Sequence, residues 1–278
     1  IIIYTKLTYF GGIYMKKIKK GDIVSRNSYQ NDILFYVEKI VKTENRGKVA
    51  ILKGVTIRIE ADAPIDDLEL PNESRIKENL KRIDKQIEFT NDYIDNRNVI
   101  RYGKILHLDG DRSYSEKTEK YYKKRGLNYI VKHVMEFRQP MVVINLLQRY
   151  RPDILVITGH DGMIKNGKNY NDINNYRNSR YFVKSVNEAR RWNADKNELV
   201  IFAGACQSYY EAIMSAGANF ASSPARILID FMDPLIVAEE VSITNKNKLI
   251  MMSDLEGKIR NGRRAVSGIG AKGKMIVI

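Results

Sequence analysis

Two stretches of the sequence decide the fold of this chain: Ile154-Leu-Val-Ile-Thr-Gly-His160-Asp-Gly162 and Leu199-Val-Ile-Phe-Ala-Gly-Ala-Cys206-Gln-Ser208. Each begins as a nearly continuous apolar run, which is typical of a parallel strand buried on both faces. Each run is then followed by a reactive side chain, His160 in the first stretch and Cys206 in the second. Parallel strands joined by right-handed crossovers end at the same edge of a sheet, so the sequence predicts that His160 and Cys206 share that edge.

The same alternation of strand and helix patterns continues on both sides of these stretches. Predicted strands lie at 104–109, 127–134, 153–158 and 199–205, and predicted helices at 113–125, 141–150, 179–193 and 207–216. Strands that alternate with helices in this way form a mostly parallel sheet covered on both faces. The predicted fold class is therefore α/β, with a parallel sheet flanked by helices.

The two residues at the strand ends have the chemistry of a nucleophile and a base. Cys206 is the only cysteine in the chain, and His160 is one of three histidines. An imidazole can take the proton of a thiol, and a helix predicted to begin at Gln207 would favour the thiolate. We therefore predict a Cys206–His160 catalytic dyad, with the backbone N–H groups of Gly162 and Cys206 as donors to an oxyanion. The alternative is a buried, inert thiol.

The other histidines and the nearby carboxylates are interpreted as structural. His107 lies in a predicted strand that precedes Asp109-Gly-Asp111, and His133 is predicted to lie at the surface. We interpret Asp109 and Asp111 as a loop carboxylate pair rather than as a cation site. Because the histidines and the cysteine lack ligand spacing, the sequence predicts no metal, and no other cofactor is predicted.

The N-terminal part of the chain has a different pattern. Short apolar runs with turn signals over 15–70, including one at 56–59, predict a small β-barrel-like domain. Apolar residues at steps of three and four predict a helical connector over 71–98. The α/β domain then covers 99–278, and residues 1–14 are interpreted as an upstream or non-native extension.

The composition is that of a globular protein with a strongly basic surface. Hydrophobic residues make up 44% of the chain, and the formal net charge is +14 at pH 7. This charge leaves a nucleic-acid-binding protein as an alternative, with Phe35 and Tyr36 as candidate contacts, although a basic surface without a specific nucleic acid partner is favoured. A single cysteine forms no internal disulfide, which favours a reducing cytoplasm. The apolar start is shorter than the roughly 20 residues of a membrane span, so no membrane insertion is predicted.

Four sequence blocks resemble a known family of bacterial proteases. They are Gly21-Asp-Ile-Val24, Pro152-Asp-Ile-Leu-Val-Ile-Thr-Gly-His160-Asp161, Gly204-Ala-Cys206-Gln-Ser-Tyr-Tyr-Glu-Ala-Ile213 and Ala216-Gly-Ala-Asn-Phe-Ala-Ser-Ser-Pro224. These blocks are similar to the YabG family, the sporulation-specific proteases of endospore-forming bacteria. The pairing of a strand ending in histidine with a strand ending in cysteine also resembles the clan of caspases, legumain and clostripain. In caspases the histidine precedes the cysteine by about 50 residues.

The resemblance implies a caspase-like fold and a cysteine endopeptidase of the mother-cell cytoplasm, or one associated with the spore coat. It implies cleavage after arginine in proteins of the spore coat and cortex machinery. An arginine pocket requires a carboxylate, and Asp161, Asp230 and Asp233 are the candidates. The chain departs from the clan at Asp161, which stands between His160 and Gly162 where the clan has glycine directly after the histidine. The alternative is a spore-coat interaction protein whose thiol is inert.

Overall fold

A computed structural model describes residues 17–44, 47–88, 100–164 and 169–277 of the chain. The extension predicted at 1–14 lies outside these residues, as does the end of the predicted helical connector. The boundaries predicted between 15–70, 71–98 and 99–278 stay a prediction.

The N-terminal part forms a sheet of five antiparallel strands. The strands are β1 Ile23–Arg26, β2 Phe35–Thr43, β3 Gly47–Gly54, β4 Glu60–Pro64 and β5 Leu68–Glu69. Their order is β4-β3-β2-β1-β5, and within the described residues the two edge strands do not pair with each other, so a closed barrel is not confirmed. Val24, Val37 and Leu52 are buried in the same cluster as the core of the larger sheet, which gives this small sheet a shared hydrophobic core.

The prediction that residues 56–59 form a strand of the small β domain is wrong. These residues connect β3 to β4 and do not add a strand to the small sheet. Ile57 instead forms an isolated antiparallel bridge to Asp230, and Ile59 forms a parallel one to Asp161. The hairpin tip, residues 55–59, is thus hydrogen-bonded to the small sheet at its ends, through Gly54 N to Ile59 O and Val55 N to Leu34 O, and also pairs with the second half of the chain.

A helix, α1 (Glu73–Glu88), follows the small sheet and confirms the predicted helical pattern as far as residue 88. The second half of the chain then contains six strands in one sheet. They are β7 Ile105–Asp109, β8 Tyr129–His133, β9 Ile154–Thr158, β10 Val200–Ala203, β11 Phe220–Ser222 and β13 Val266–Gly268. The order is β13-β11-β10-β9-β7-β8, and only β13 pairs antiparallel. The predicted α/β fold with a mostly parallel sheet is confirmed.

Two short strand pairs lie outside this sheet. They are β6 Ile100–Arg101 with β15 Ile276–Val277, and β12 Leu249–Ile250 with β14 Ala271–Lys272. The first pair joins the two ends of the second half of the chain.

Helices cover both faces of the large sheet. They are α2 Arg112–Lys124, α3 Gln139–Tyr150, α4 Ser179–Trp192, α5 Tyr210–Ser215, α6 Asp233–Ile243 and α7 Met252–Leu255. Along β9, Leu155 and Ile157 belong to a buried cluster that includes residues of α3 and α4, whereas Ile154 and Val156 belong to a second cluster that includes residues of α2, α6 and the N-terminal sheet. Burial on both faces explains why the strand is apolar throughout. In the described part of the chain, no helix has the length and apolar character needed to span a bilayer.

The helix predicted from Gln207 begins three residues later than expected. It starts at Tyr210 and is six residues long. Gln207 itself has a left-handed backbone with φ of 56°, a conformation that is costly for a residue with a side chain. Cys206 is therefore followed by a tight turn and not by a helix N-terminus.

Candidate active site

The carboxyl ends of β9 and β10 meet at one edge of the sheet, as the sequence predicts. The two strands pair in parallel, with Ala203 opposite Ile157. Backbone N–H groups from the two following loops donate to the same oxygen, the carbonyl of Arg58. The distances are 3.1 Å from Asp161 N and 3.3 Å from Cys206 N. Two N–H donors that converge on one peptide carbonyl form the arrangement that stabilises a tetrahedral oxyanion.

This carbonyl belongs to the tip of the β3–β4 hairpin, which crosses the edge of the large sheet as an extended peptide. The bridges from Ile57 to Asp230 and from Ile59 to Asp161 lie on either side of it. Glu60 N also donates to Asp161 O at 2.8 Å. Main-chain pairing of this kind is a common way for a protein to bind an extended peptide. The hairpin tip thus occupies the site as a peptide ligand would.

The side chain of Arg58 fills a closed pocket beside its own carbonyl. It is fully buried, and Nη1 lies 2.7 Å from Oδ2 of Asp109, which is also fully buried. The guanidinium carbon is 4.6 Å from the ring centroid of Tyr114 and 5.2 Å from that of Phe231. Burial would raise the pKa of Asp109, but the Arg58 guanidinium and His107 hold it well below its usual value. The pocket therefore contains a charged ion pair between two aromatic rings.

Cys206 is fully buried in this arrangement. Its Sγ accepts a hydrogen bond from Ile229 N at 3.3 Å. Burial raises the pKa of the thiol to about 12, and the hydrogen bond from Ile229 opposes this rise only in part. At neutral pH the sulfur is a thiol, contrary to the expectation that a helix N-terminus would favour the thiolate. The hairpin tip is one of the elements that cover Cys206, because the carbonyl oxygen of Arg58 accepts a hydrogen bond from Cys206 N.

His160 is buried beside the same peptide, and within the described residues no hydrogen bond joins its ring to the thiol. Its Nε2 is 3.5 Å from Gly54 O, and its ring stacks on Tyr114 with centroids 5.3 Å apart. Its Nδ1 lies 3.9 Å from Oδ2 of Asp111. Burial lowers the pKa of His160 to about 4, so the imidazole is neutral at pH 7. A neutral imidazole is the form that acts as a general base.

Asp161 connects the two loops that carry these residues. Its Oδ1 accepts hydrogen bonds from Gly162 N at 2.9 Å and Asn178 N at 2.8 Å. Its Oδ2 accepts the hydroxyls of Ser179 at 2.5 Å and Ser208 at 2.8 Å. Burial raises the pKa of Asp161 to about 6, and these four donors oppose that rise. The carboxylate predicted to recognise arginine is occupied with holding the two loops together.

Gly162 lies beside the site, but its N–H group points elsewhere. That group donates to the carboxylate of Asp161, so the second donor to the Arg58 carbonyl is Asp161 N, one residue before the predicted one. Gly162 permits the close approach of the hairpin, because a Cβ there would lie 2.3 Å from Glu60 O.

Asp230 and Asp233, the other predicted arginine-binding residues, make their hydrogen bonds away from the Arg58 guanidinium. Asp230 Oδ1 accepts from Met232 N at 3.0 Å, and Asp233 Oδ2 accepts from Asp230 N at 2.9 Å. Asp230 also lies 3.7 Å from Arg260. The carboxylate that pairs with Arg58 in the structure is Asp109.

The two remaining histidines differ in their surroundings. His133 is exposed, as predicted. His107 is buried, with Nδ1 2.9 Å from the hydroxyl of Tyr122 and Nε2 3.8 Å from Oδ2 of Asp109. Burial lowers the pKa of His107, so it is neutral and contributes packing and orientation behind Asp109.

A buried glutamate supports the backbone of His160. Oε1 of Glu136 accepts a hydrogen bond from His160 N at 2.8 Å. The carboxylate fits closely against Gly110 and Gly159, where an added Cβ would lie 2.1 and 2.4 Å from Oε1. Burial raises the pKa of Glu136 to about 7, against the attraction of Lys53. The folded chain therefore binds a proton here more tightly than the unfolded chain does.

Replacing Glu136 with glutamine should remove this titration and keep an oxygen acceptor for His160 N. Because the folded pKa of Glu136 lies above its ordinary value of 4.5, its contribution to stability is full below pH 4.5 and is lost as pH rises through about 7. In a chain that also carries Cys206→Ala, we expect Glu136→Gln to raise the free energy of unfolding at pH 8 by on the order of 1 to 3 kcal/mol. The gain should shrink at pH 5, as measured by urea unfolding.

The exposed residue Glu116 provides the matched control, since Glu116→Gln should show no such dependence on pH. An effect of Glu136→Gln that is equal at pH 5 and pH 8 would contradict the assignment of a buried, titrating carboxyl.

Sequence reasoning did not identify Arg58 or Asp109 as residues of the site. The sequence pattern could have indicated Asp109, because this residue ends a buried strand that pairs with β9 and so lies at the same edge of the sheet as His160. No such pattern indicates Arg58, because a short apolar run with an arginine is compatible with any strand of the small sheet.

A family model and a bacterial relative each match nearly the whole chain. The family model described as YabG peptidase U57 matches residues 19–277. The chain is 36% identical over 274 residues to the "Sporulation-specific protease YabG" of Bacillus subtilis (strain 168), which covers 91% of this chain and 94% of that protein. A solved structure of the A domain of a carboxylic acid reductase from Segniliparus rugosus matches 71% of this chain and 24% of that one. Its TM-score of 0.29 and identity of 10% are too low to bear on fold or function. On the family match and the Bacillus subtilis relative, the chain belongs to the YabG peptidase U57 family.

Proposed function

We propose that the chain is a cysteine endopeptidase that cleaves peptide bonds after arginine, with Cys206 as the nucleophile and His160 as the base. The observation that carries this proposal is the position of the Arg58 carbonyl, on which the N–H groups of Cys206 and Asp161 converge. A scissile carbonyl held by two such donors, one from the residue of the nucleophile, is ready for attack. Membership of a peptidase family supports the same conclusion.

The proposed reaction proceeds through an acyl-enzyme. His160 takes the thiol proton, the sulfur bonds to the carbonyl carbon, and the π electrons move to the oxygen. The N–H groups of Cys206 and Asp161 stabilise the resulting oxyanion. When the oxyanion collapses, the C–N bond breaks and the imidazolium gives its proton to the leaving amine. A water molecule, deprotonated by the same imidazole, then hydrolyses the thioester and restores the thiol.

The burial of the site bears on the timing of the first proton transfer. Burial raises the pKa of Cys206 to about 12 and lowers that of His160 to about 4, so both groups are neutral beneath the hairpin tip. A preformed thiolate and imidazolium pair is disfavoured in these surroundings. We infer that the proton moves as the sulfur attacks a bound carbonyl.

The hairpin tip supports an extended mode of substrate binding. Beyond Arg58, Ile59 runs along a cleft of about 450 Å³ whose lining includes Met163, Arg177 and Gln207. We infer that protein substrates follow the same path and that the Arg58–Ile59 bond is itself an internal substrate. The hairpin must be cut or displaced before another peptide can enter.

The physiological substrates are proposed to be proteins of the spore coat and cortex machinery, cut in the mother-cell cytoplasm or at the coat. The support for this proposal is the similarity to the Bacillus subtilis protein, whose name describes a sporulation-specific protease. A net charge of +14 would favour encounters with acidic proteins.

Peptides that differ only at the residue before the scissile bond test the proposal. We expect kcat/KM for an arginine peptide to exceed that for matched glutamine and alanine peptides by at least about 100-fold, because a buried charge left unpaired is costly. Mass spectrometry locates the cut. Equal cleavage of all three peptides would refute the arginine preference, and cleavage of none would refute the peptidase assignment.

A further inference from the structure

We infer that Asp109 is the residue that binds the arginine side chain of the substrate, in a pocket whose walls are Tyr114 and Phe231. This inference rests on the proposed function, because it concerns the substrate pocket of the same site. Arg58 of the hairpin tip stands for the substrate arginine.

Asp109 lies at the edge of the sheet from which the loops with His160 and Cys206 leave. It is the last residue of β7, which pairs in parallel with β9, and it lies opposite Thr158. Its carboxylate is therefore at the edge where His160 and Cys206 follow their strands. A peptide whose carbonyl is held by Cys206 N has its arginine side chain within reach of this carboxylate, as the 2.7 Å contact with Arg58 demonstrates.

The carboxylate of Asp109 is held in a fixed orientation. Oδ1 accepts a hydrogen bond from Asp111 N at 2.9 Å, and Oδ2 lies 3.8 Å from Nε2 of His107. Oδ2 is thereby directed at the guanidinium of Arg58. A binding group that is fixed in advance loses little conformational entropy when the ligand arrives.

A buried carboxylate at Asp109 is costly when it has no cation beside it. Asp109 is fully buried, and its ion pair with Arg58 is what compensates for the loss of water. When the hairpin tip leaves, the carboxylate needs another cation in the same place. The guanidinium of a substrate arginine would restore the pair, whereas a neutral side chain would leave the carboxylate unpaired.

The aromatic walls favour arginine over lysine. Tyr114 and Phe231 lie 4.6 and 5.2 Å from the guanidinium carbon of Arg58. A planar, weakly hydrated guanidinium stacks against such rings better than a strongly hydrated ammonium does. Within the described residues, Nε and Nη2 of Arg58 have no hydrogen-bond partner, so Asp109 carries the polar recognition there.

The test uses two peptides that differ only in arginine or citrulline before the scissile bond, because citrulline is neutral and nearly the same shape. For the wild-type chain we expect a preference for arginine of at least about 100-fold in kcat/KM. For Asp109→Asn we expect this ratio to fall to near one, through loss of arginine cleavage while citrulline cleavage is retained, because a hairpin tip without its ion pair is displaced by either peptide. A purely structural role would lower both rates equally and leave the ratio intact, which would overturn the inference.

Asp230→Asn is the matched control, because it removes a carboxylate from an earlier candidate position that does not contact Arg58. It should leave the arginine-to-citrulline ratio at its wild-type value. A ratio that collapses in Asp230→Asn and survives in Asp109→Asn would transfer the role to Asp230.

A second variant covers the case in which Asp109→Asn fails to fold because Arg58 is left without its partner. The double variant Asp109→Asn with Arg58→Gln replaces the ion pair by two neutral amides, so the uncut hairpin tip is held less tightly and a peptide can displace it. This variant should show the same collapse of the ratio. A wild-type ratio in this variant would overturn the inference. If the wild type cleaves neither peptide, the proposed function fails instead, so the two failures are distinguishable.

Discussion

A chain carrying Cys206→Ala should lose at least about 1,000-fold in kcat/KM toward an arginine peptide, because the methyl side chain of alanine cannot form the acyl-enzyme. The side chain is buried, and its two described hydrogen bonds, from Ile229 N at 3.3 Å and to Ile229 O at 3.8 Å, are weak sulfur bonds, so the variant should still fold. Steady-state cleavage of the wild type and the variant measures the loss. A matched thermal melt establishes that the fold is retained.

Alkylation provides an independent check on the same residue. Because Cys206 is the only cysteine in the chain, inactivation of the wild type by iodoacetamide should track the addition of a single label. Full loss of activity with no label, or full activity with one label, would remove Cys206 from the mechanism. Cleavage by Cys206→Ala at the wild-type rate would have the same consequence.

The second large effect concerns the Arg58–Ile59 bond. We expect the purified wild type to cut this bond and to give a new N-terminus at Ile59, because the Arg58 carbonyl is already held by Asp161 N and Cys206 N. The hairpin belongs to the same chain, so the rate should not depend on protein concentration. The two pieces should stay together under native conditions, since β3 and β4 remain paired and share a core with the large sheet. Denaturing electrophoresis and N-terminal sequencing would separate and identify them.

Arg58→Gln should prevent this cut, because glutamine leaves the carboxylate of Asp109 without a cation. Arg149→Gln changes an exposed arginine on α3 and should be cut like the wild type. Cutting at residue 58 in the Arg58→Gln chain at an unchanged rate would contradict the role assigned to the guanidinium.

The large sheet could be predicted from the sequence because each central strand is apolar along its whole length. The positions of β9 and β10 could be predicted from the local sequence alone. A strand that is buried on both faces has a continuous run of apolar residues, as in Ile154–Thr158. The alternation of strands and helices along the chain then indicated parallel strands, whose carboxyl ends lie at one edge of the sheet. This is why the positions of His160 and Cys206 at one edge could be inferred from local patterns.

The contacts of the site could not be predicted in the same way. Arg58 and Asp109 are 51 positions apart, and neither residue's neighbours indicate the other. The hairpin tip is extended like a strand, and periodicity does not tell which sheet an extended segment will pair with. The backbone at Gln207 likewise departs from the predicted helix through a single left-handed residue.

The burial of the Cys206 thiol follows from the long-range contact between the hairpin tip and the edge of the large sheet. The sequence predicted a thiol favoured as thiolate, but the hairpin tip places its Arg58 carbonyl on the N–H of Cys206 and removes the site from water. The pKa of Cys206 is consequently raised by burial to about 12 instead of lowered. The chemistry at the strand ends depends on a segment that the local pattern assigned to another domain.

The most direct measurement is the mass, under denaturing conditions, of the wild type and Cys206→Ala after side-by-side incubation near neutral pH. We expect two fragments that meet between Arg58 and Ile59 in the wild type and one intact chain in the variant. A wild type that stays whole, or a variant that yields the same two fragments, would contradict the claim that the Cys206 thiol attacks the carbonyl held at this edge of the sheet.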